Sequence, residues 1–94
     1  MIIVLTQKIT LLKKSEYTNI IKTFDSNVIP HKGDFIQDLA WKDPFEYEVE
    51  EVTINYEENQ CYAELPEILI NSNDRKDLEN YIVNIKNFGW IETN

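Results

Sequence analysis

The chain is poor in the residues that build disulfides, metal sites and flexible linkers. Its 94 residues include one cysteine, Cys61, one histidine, His31, and two glycines. A lone cysteine excludes an internal disulfide and fits a reducing compartment. No apolar run approaches the ~20 residues of a membrane-spanning helix, and the first run, Ile2 to Leu5, is too short for the core of a signal peptide. We therefore expect a cytoplasmic protein that does not enter a membrane.

Positive charge is also scarce. Nine Lys and Arg residues face 17 Asp and Glu residues, which gives a formal net charge of -8 at pH 7. Proteins that bind nucleic acid or anionic membrane surfaces need clustered Lys and Arg side chains. Direct binding to nucleic acid or membrane is therefore not expected, whereas a protein partner with a basic surface fits this charge.

The apolar content is high enough for a folded core. Hydrophobic residues make up 43% of the chain and aromatic residues 12%, which excludes a disordered acidic tail. The length suits one domain, and no repeat, low-complexity tract or linker divides it. We expect a single domain over residues 1–94.

Two interpretations are open near the start of the chain. Residues Ile2 to Leu12 are rich in β-branched side chains and predict a strand. Ser15 to Phe24 has apolar residues at helical spacing, which favours a short N-terminal helix capped by Ser15. Its Thr and Asn residues are poor helix formers, so a second strand that completes a hairpin is the alternative.

An alternating pattern in the middle of the chain predicts a β-hairpin. From Phe45 to Tyr56 apolar residues alternate with polar ones, but the alternation shifts by one position between Glu50 and Glu51. A β-bulge at that point keeps later apolar side chains on the same face. Cys61 to Leu65 then resumes the pattern, and a turn around Glu58 and Asn59 places Tyr56, Ile54 and Val52 opposite Cys61, Ala63 and Leu65.

The C-terminal third predicts an edge strand and a helix. Ile68 to Ile70 follows Pro66, a residue tolerated mainly at strand edges and starts. Asp74 to Phe88 has helical spacing of apolar residues and is followed by Gly89, a good helix terminator. The expected fold is α+β: a small curved antiparallel sheet of about four or five strands packed by the C-terminal helix, with a short N-terminal helix as the extra element.

Negative charge is concentrated in one segment. Nine acids lie between Asp43 and Glu67, and this segment contains no Lys or Arg. Such a surface serves either to keep the protein soluble and discourage edge pairing, or to dock a basic partner. With the bulge, Glu46 and Glu48 are expected to share the solvent face of the sheet with Thr53, and Tyr62 and Glu64 to lie beside them. The candidate partner-binding residues are Glu46, Glu48, Glu50, Glu51, Glu57, Glu58, Tyr62 and Glu64.

No motif for catalysis, metal binding or a cofactor is present. Any Cys–His nucleophilic pair would need Cys61, expected on the inward face of a hairpin, and His31, expected in an exposed turn. One His and one Cys cannot form a zinc set, and the acids lack the spacing of a calcium loop. We expect no enzyme, no catalytic residue, no metal and no cofactor.

Two further features concern the core and the oligomeric state. Trp41 and Trp90 are interpreted as core residues rather than interface anchors. Ile2 to Leu5 is apolar at every position, as in a central strand or in an edge strand that a second copy completes. A homodimer is therefore a further expectation.

One stretch of the sequence resembles a group of other short proteins. Ile29 to Ile36 (IPHKGDFI), the strand from Glu48 to Glu58 and Cys61 to Leu65 resemble short β-rich proteins of unknown function in low-GC bacteria and their phages. The resemblance covers roughly residues 28 to 66. It implies a Pro-Gly-Asp turn that leads into a small curved sheet, and it implies no ligand or activity.

The leading hypothesis is a small acidic protein-interaction module. In its specific form it is an inhibitor of anti-defence, antitoxin or immunity type, from a phage or mobile element, which docks on a basic nucleic-acid-binding protein. The alternative is an accessory or structural homo-oligomer in which the acidity serves solubility alone.

Overall fold

The computed structural model describes residues 1–93 and shows an α+β fold. Within these residues the chain forms eight strands and one helix, so the expected fold class is confirmed but the strands outnumber the prediction. In chain order the elements are β1 (Ile2–Leu11), β2 (Glu16–Asp25), β3 (Phe35–Gln37), β4 (Glu46–Glu48), β5 (Glu51–Asn55), β6 (Gln60–Glu64), β7 (Ile68–Ile70), α1 (Arg75–Lys86) and β8 (Ile91–Thr93).

The first two strands form a long antiparallel hairpin. Register partners run from Ile2 opposite Asp25 to Leu11 opposite Glu16, and the turn includes Ser15 with a positive φ of 53°. The helix favoured for residues 15–24 is therefore wrong, and the strand alternative is correct. A preformed partner strand and β-branched side chains outweigh the helical spacing, because strand preference depends on neighbours rather than on local sequence alone.

The main sheet is mixed rather than antiparallel. Its order is β5-β6-β1-β2-β8, and β7 also pairs with β1. Both β6 and β7 run parallel to β1, one beside its first half and the other beside its second half. The expectation of a purely antiparallel sheet is wrong because the long connection after β2 brings the chain back as β5, and β6, the return strand of the β5–β6 hairpin, then runs beside β1 in the same direction.

A second, two-stranded sheet lies within this crossover. It pairs β3 with β4, and Val49 directly after β4 is buried. The predicted bulge falls where the chain leaves this sheet for the main one. The Glu50 amide donates to the Glu64 carbonyl at 2.9 Å, and Glu51 is the register partner of Glu64. Glu50 and Glu51 thus both lie opposite Glu64, as the two residues of a bulge do. The bulge lies at the break between β4 and β5 and not within one continuous strand.

The predicted β5–β6 hairpin is present with a shifted register. Ile54 pairs with Cys61 and Val52 pairs with Ala63, which is two residues away from the expected pairing. An even shift leaves the side chains that remain within the two strands on their expected faces. The turn is longer than expected and uses Asn59 at a positive φ of 57°. Tyr56 consequently lies in the turn and not opposite Cys61.

The core lies between the main sheet and a layer that contains α1. Helix α1 is capped by Asp74, whose side chain accepts from the Lys76 amide, and Gly89 follows it with a φ of 91°. This confirms the predicted C-terminal helix. The buried side chains of α1 are Leu78, Ile82 and Ile85.

Both tryptophans belong to this core. Trp41 is 4% exposed and Trp90 is fully buried, with ring centroids 5.7 Å apart. Their interpretation as core residues is confirmed. The all-apolar stretch Ile2 to Leu5 is explained by the central position of β1, which pairs with β2 on one side and with β6 on the other. This stretch therefore needs no second copy to complete it.

Candidate functional site

Five of the candidate acids lie on the β5–β6 hairpin, at its start or in its turn, and all five are exposed. We call this group the acidic hairpin; it consists of Glu50, Glu51, Glu57, Glu58 and Glu64. Among the described residues, its one ion pair joins Lys32 Nζ to Glu51 Oε1 at 3.4 Å. Both side chains of that pair are largely in solvent, where an ion pair contributes little. The negative charge of the hairpin is therefore almost uncompensated.

Two of these carboxylates oppose each other directly. Glu51 and Glu64 are register partners on the sheet face opposite the core. Like charges in this position destabilise an antiparallel pair. Tyr62, which lies opposite Thr53 on the same face, donates its hydroxyl to Gln60 Oε1 at 2.6 Å. The structure thus brings Glu51, Glu64 and Tyr62 together, as the sequence pattern predicted.

The remaining two candidates lie elsewhere. Glu46 and Glu48 belong to β4 of the small sheet, where they pair with Gln37 and Phe35. Glu46 Oε1 also accepts a hydrogen bond from Gln37 Nε2 at 3.1 Å. The expectation that both share one sheet face with Thr53 and the rest of β5 is wrong, because the chain changes sheets after β4.

The tip of the hairpin adds exposed apolar surface to the charge. Tyr56 is 79% exposed, and Ile54 on β5 is 37% exposed. The turn is held by the Asn55 side chain, whose Oδ1 accepts from the Glu58 amide at 3.1 Å. The predicted inward position of Tyr56 concealed this feature, and only the correct register reveals it. Exposed aromatic side chains such as Tyr56 are enriched in protein-contact surfaces.

The single cysteine and histidine do not meet a catalytic requirement. Cys61 is fully buried on β6, and burial raises the pKa of its thiol, which disfavours the reactive thiolate. His31 is exposed, and its Nδ1 lies 3.5 Å from an oxygen of Asp34. Within residues 1–93, no three potential metal ligands cluster in space.

A separate cleft of about 470 Å³ lies between β7, α1 and the segment before β4. Its aromatic lining consists of Trp41, Tyr47 and Tyr81. Burial, with a smaller contribution from Tyr47, raises the pKa of Tyr81 to about 12. Burial also raises the pKa of Tyr47, so both phenols stay neutral at physiological pH and are hydrogen-bond donors rather than bases.

Comparison with known proteins adds no relationship. Neither a protein-family model, nor a curated protein, nor a solved structure matches this chain. In the part of the chain that the structure describes, the one helix lacks the length and apolar character needed to cross a membrane. The acidic hairpin is therefore the feature of the molecule from which a function can be inferred.

Proposed function

We propose that the protein is a cytoplasmic interaction module that docks on a basic protein through its acidic hairpin. The supporting observation is the charge imbalance of this hairpin, whose five exposed acids have one exposed lysine near them. Glu51 and Glu64 repel each other across the strands. A basic surface placed over them relieves that repulsion and accelerates association.

The specific form of the proposal is an inhibitor that occupies the nucleic-acid groove of its partner, as antitoxins, immunity proteins and anti-defence factors do. Side chains on one face of a strand recur every ~6.6 Å, whereas duplex DNA carries one charge per ~1.7 Å of its axis. Two strands and the Glu57–Glu58 tip raise the density without matching a duplex. The hairpin thus fits a basic groove as a plug and not as a copy of DNA.

The first experiment identifies the partner and tests its charge dependence. The tagged chain is incubated with nuclease-treated host lysate at low and moderate salt, and captured proteins are identified by mass spectrometry. We expect a basic protein that is released as salt rises. Recovery of the chain alone would favour the homo-oligomeric alternative.

The second experiment measures affinity for that purified partner. Replacing Glu51, Glu57 and Glu64 by Gln should weaken binding at least about tenfold, because charge pairs across the interface are lost. The matched control replaces Asn71, Asn73 and Asn80 by Lys, which changes the net charge equally.

These three Asn residues are exposed and lie after β7 or on α1, away from the acidic hairpin. The control should bind nearly as well as the native chain if the hairpin is the docking site. Equal weakening by both variants would show that only overall charge matters. No weakening by the Gln variant would remove the acidic hairpin as the docking site.

A further inference from the structure

Strand β5 is an open edge of the main sheet. It pairs with β6 on one side and with no described strand on the other. At five residues it is longer than β8, the three-residue strand at the opposite edge. Natural edge strands are usually shortened, interrupted by Pro, protected by Lys or covered. β5, with the sequence EVTIN, has no Pro or Lys and carries its charge only at Glu51.

Backbone hydrogen bonds show which groups of β5 are free. The Glu64 carbonyl accepts from the Glu50 amide, while the Leu65 amide donates to the Thr6 carbonyl, each at 2.9 Å. Successive residues of a strand direct their backbone groups to opposite edges. The backbone amides and carbonyls of even-numbered residues of β6 therefore point towards β5, and those of odd-numbered residues point towards β1.

The same alternation applies across the β5–β6 pair. Thr53 is the partner of Tyr62, so its amide and carbonyl point towards β6. The amides and carbonyls of Val52 and Ile54 then point away from β6, to the open side. Four strong hydrogen-bonding groups thus form an unpaired row beside the acidic hairpin.

We propose that this edge binds an extended basic segment of the partner as an added strand. The inference depends on the proposed function and specifies how the acidic hairpin holds its partner. Backbone groups of the segment pair with Val52 and Ile54, which is the usual source of affinity in strand addition. Its basic side chains lie on the face of Glu51 and Glu64, and its apolar side chains lie on the face of Ile54.

Charge selects this occupant over a second copy of the chain. An antiparallel pair of β5 strands centred on Thr53 would place Glu51 of one copy opposite Asn55 of the other, and Glu50 opposite Tyr56, the residue next to Glu57. Each copy also carries a net charge of -8. These like charges oppose dimerisation at this edge, whereas a basic strand gains from the same arrangement.

The test uses the synthetic peptide Lys-Val-Lys-Thr-Lys-Val-Lys as a probe. A second peptide of equal charge is N-methylated at the Val and Thr residues, which are the positions that would pair with Val52 and Ile54. Loss of these hydrogen bonds should weaken binding about tenfold or more. Binding is measured by isothermal titration calorimetry at low salt.

A protein variant provides the reciprocal test. Ile54→Pro removes an amide that points to the open side, where Pro is tolerated, and should weaken binding of the unmodified peptide about tenfold. Ile54→Val keeps the amide and should bind normally. As a readout independent of variant folding, hydrogen exchange at the Val52 and Ile54 amides of the native chain should slow when the peptide binds.

The outcomes separate the two proposals. Equal binding of both peptides, with unchanged exchange at Val52 and Ile54, would overturn strand addition while leaving charge-led docking in place. A different result would support strand addition and contradict the proposed function. In that result the peptide slows hydrogen exchange at Val52 and Ile54, but replacing Glu51, Glu57 and Glu64 by Gln leaves the affinity for the purified partner unchanged. No binding of the unmodified peptide at about 1 mM would overturn strand addition.

Discussion

The two hairpins of the main sheet differ in how many of their acidic side chains have a cation nearby. In the β1–β2 hairpin each acid has a cation nearby: Glu16 lies 2.7 Å from Arg75, and Asp25 lies 3.1 Å from the amino terminus. Among the five acids of the β5–β6 hairpin, all of them described by the structure, Glu51 alone has an ion-pair partner, Lys32. The first hairpin thus has its charges neutralised by the fold itself, whereas the second presents its charges to solvent.

Strands β1 and β5, one from each hairpin, differ in burial. Strand β1 pairs on both sides, and its Ile3, Leu5 and Ile9 are at most 1% exposed. Strand β5 pairs on one side, and its Ile54 is 37% exposed. Apolar burial is the main favourable term in folding. Strand β1 therefore belongs to the scaffold, whereas β5 is the exposed strand of the proposed docking surface.

The largest expected effect compares apolar truncations in the two hairpins. Ile9→Ala should lower the free energy of unfolding by about 2–5 kcal/mol, because it leaves a cavity in the core. Ile54→Ala should lower it by about 1 kcal/mol or less, because the side chain is partly in solvent. Urea unfolding followed by tryptophan fluorescence measures both. Equal losses would place β5 in the scaffold and break the comparison.

An intermediate effect compares two lysines. Lys22 Nζ lies 2.6 Å from the Asp38 carboxylate, which is 6% exposed and also accepts from Trp90 Nε1 at 3.3 Å. Lys22→Gln should therefore cost roughly 1–3 kcal/mol in unfolding free energy. Lys32→Gln, which affects the exposed pair with Glu51, should change stability by less than about 0.5 kcal/mol. A comparable cost for both would show that the second hairpin also depends on its ion pair.

The smallest expected effects are two changes of opposite sign in the free energy of unfolding. Glu64→Gln removes the repulsion with Glu51 and should raise the unfolding free energy by about 0.2–1 kcal/mol. Glu16→Gln removes the partner of Arg75 and should lower it by up to about 1 kcal/mol. Both changes should shrink in high salt, because exposed charges are screened. A loss of stability in Glu64→Gln would mean that this acid has a structural role.

Local patterns predicted the elements that local physics determines. Asp74 and Gly89 marked the ends of α1 because capping depends on neighbouring residues. The helix predicted for Ser15 to Phe24 was wrong because the apolar spacing of this segment is also compatible with a strand that pairs with the long strand β1. Cys61 was correctly placed inward because an even register shift preserves faces.

The rest depended on contacts between distant residues. Nothing near Glu50 indicates that the residues before it pair with β3, so the division of the acids between two sheets was not predictable. β8 is three residues long and is stabilised by pairing with β2, which no local pattern indicates. The open edge of β5 follows from sheet order, which is a property of the whole fold.

The parallel pairing of β1 with β6 has a consequence for folding order. Ile2 pairs with Gln60, so the two residues of this contact are separated by more than half of the chain in sequence. The β1–β2 hairpin closes over a short turn, and contacts of small sequence separation form faster. We expect the acidic hairpin to join the sheet late during folding. A partner that recognises its strand geometry would then discriminate fully folded chains from newly made ones.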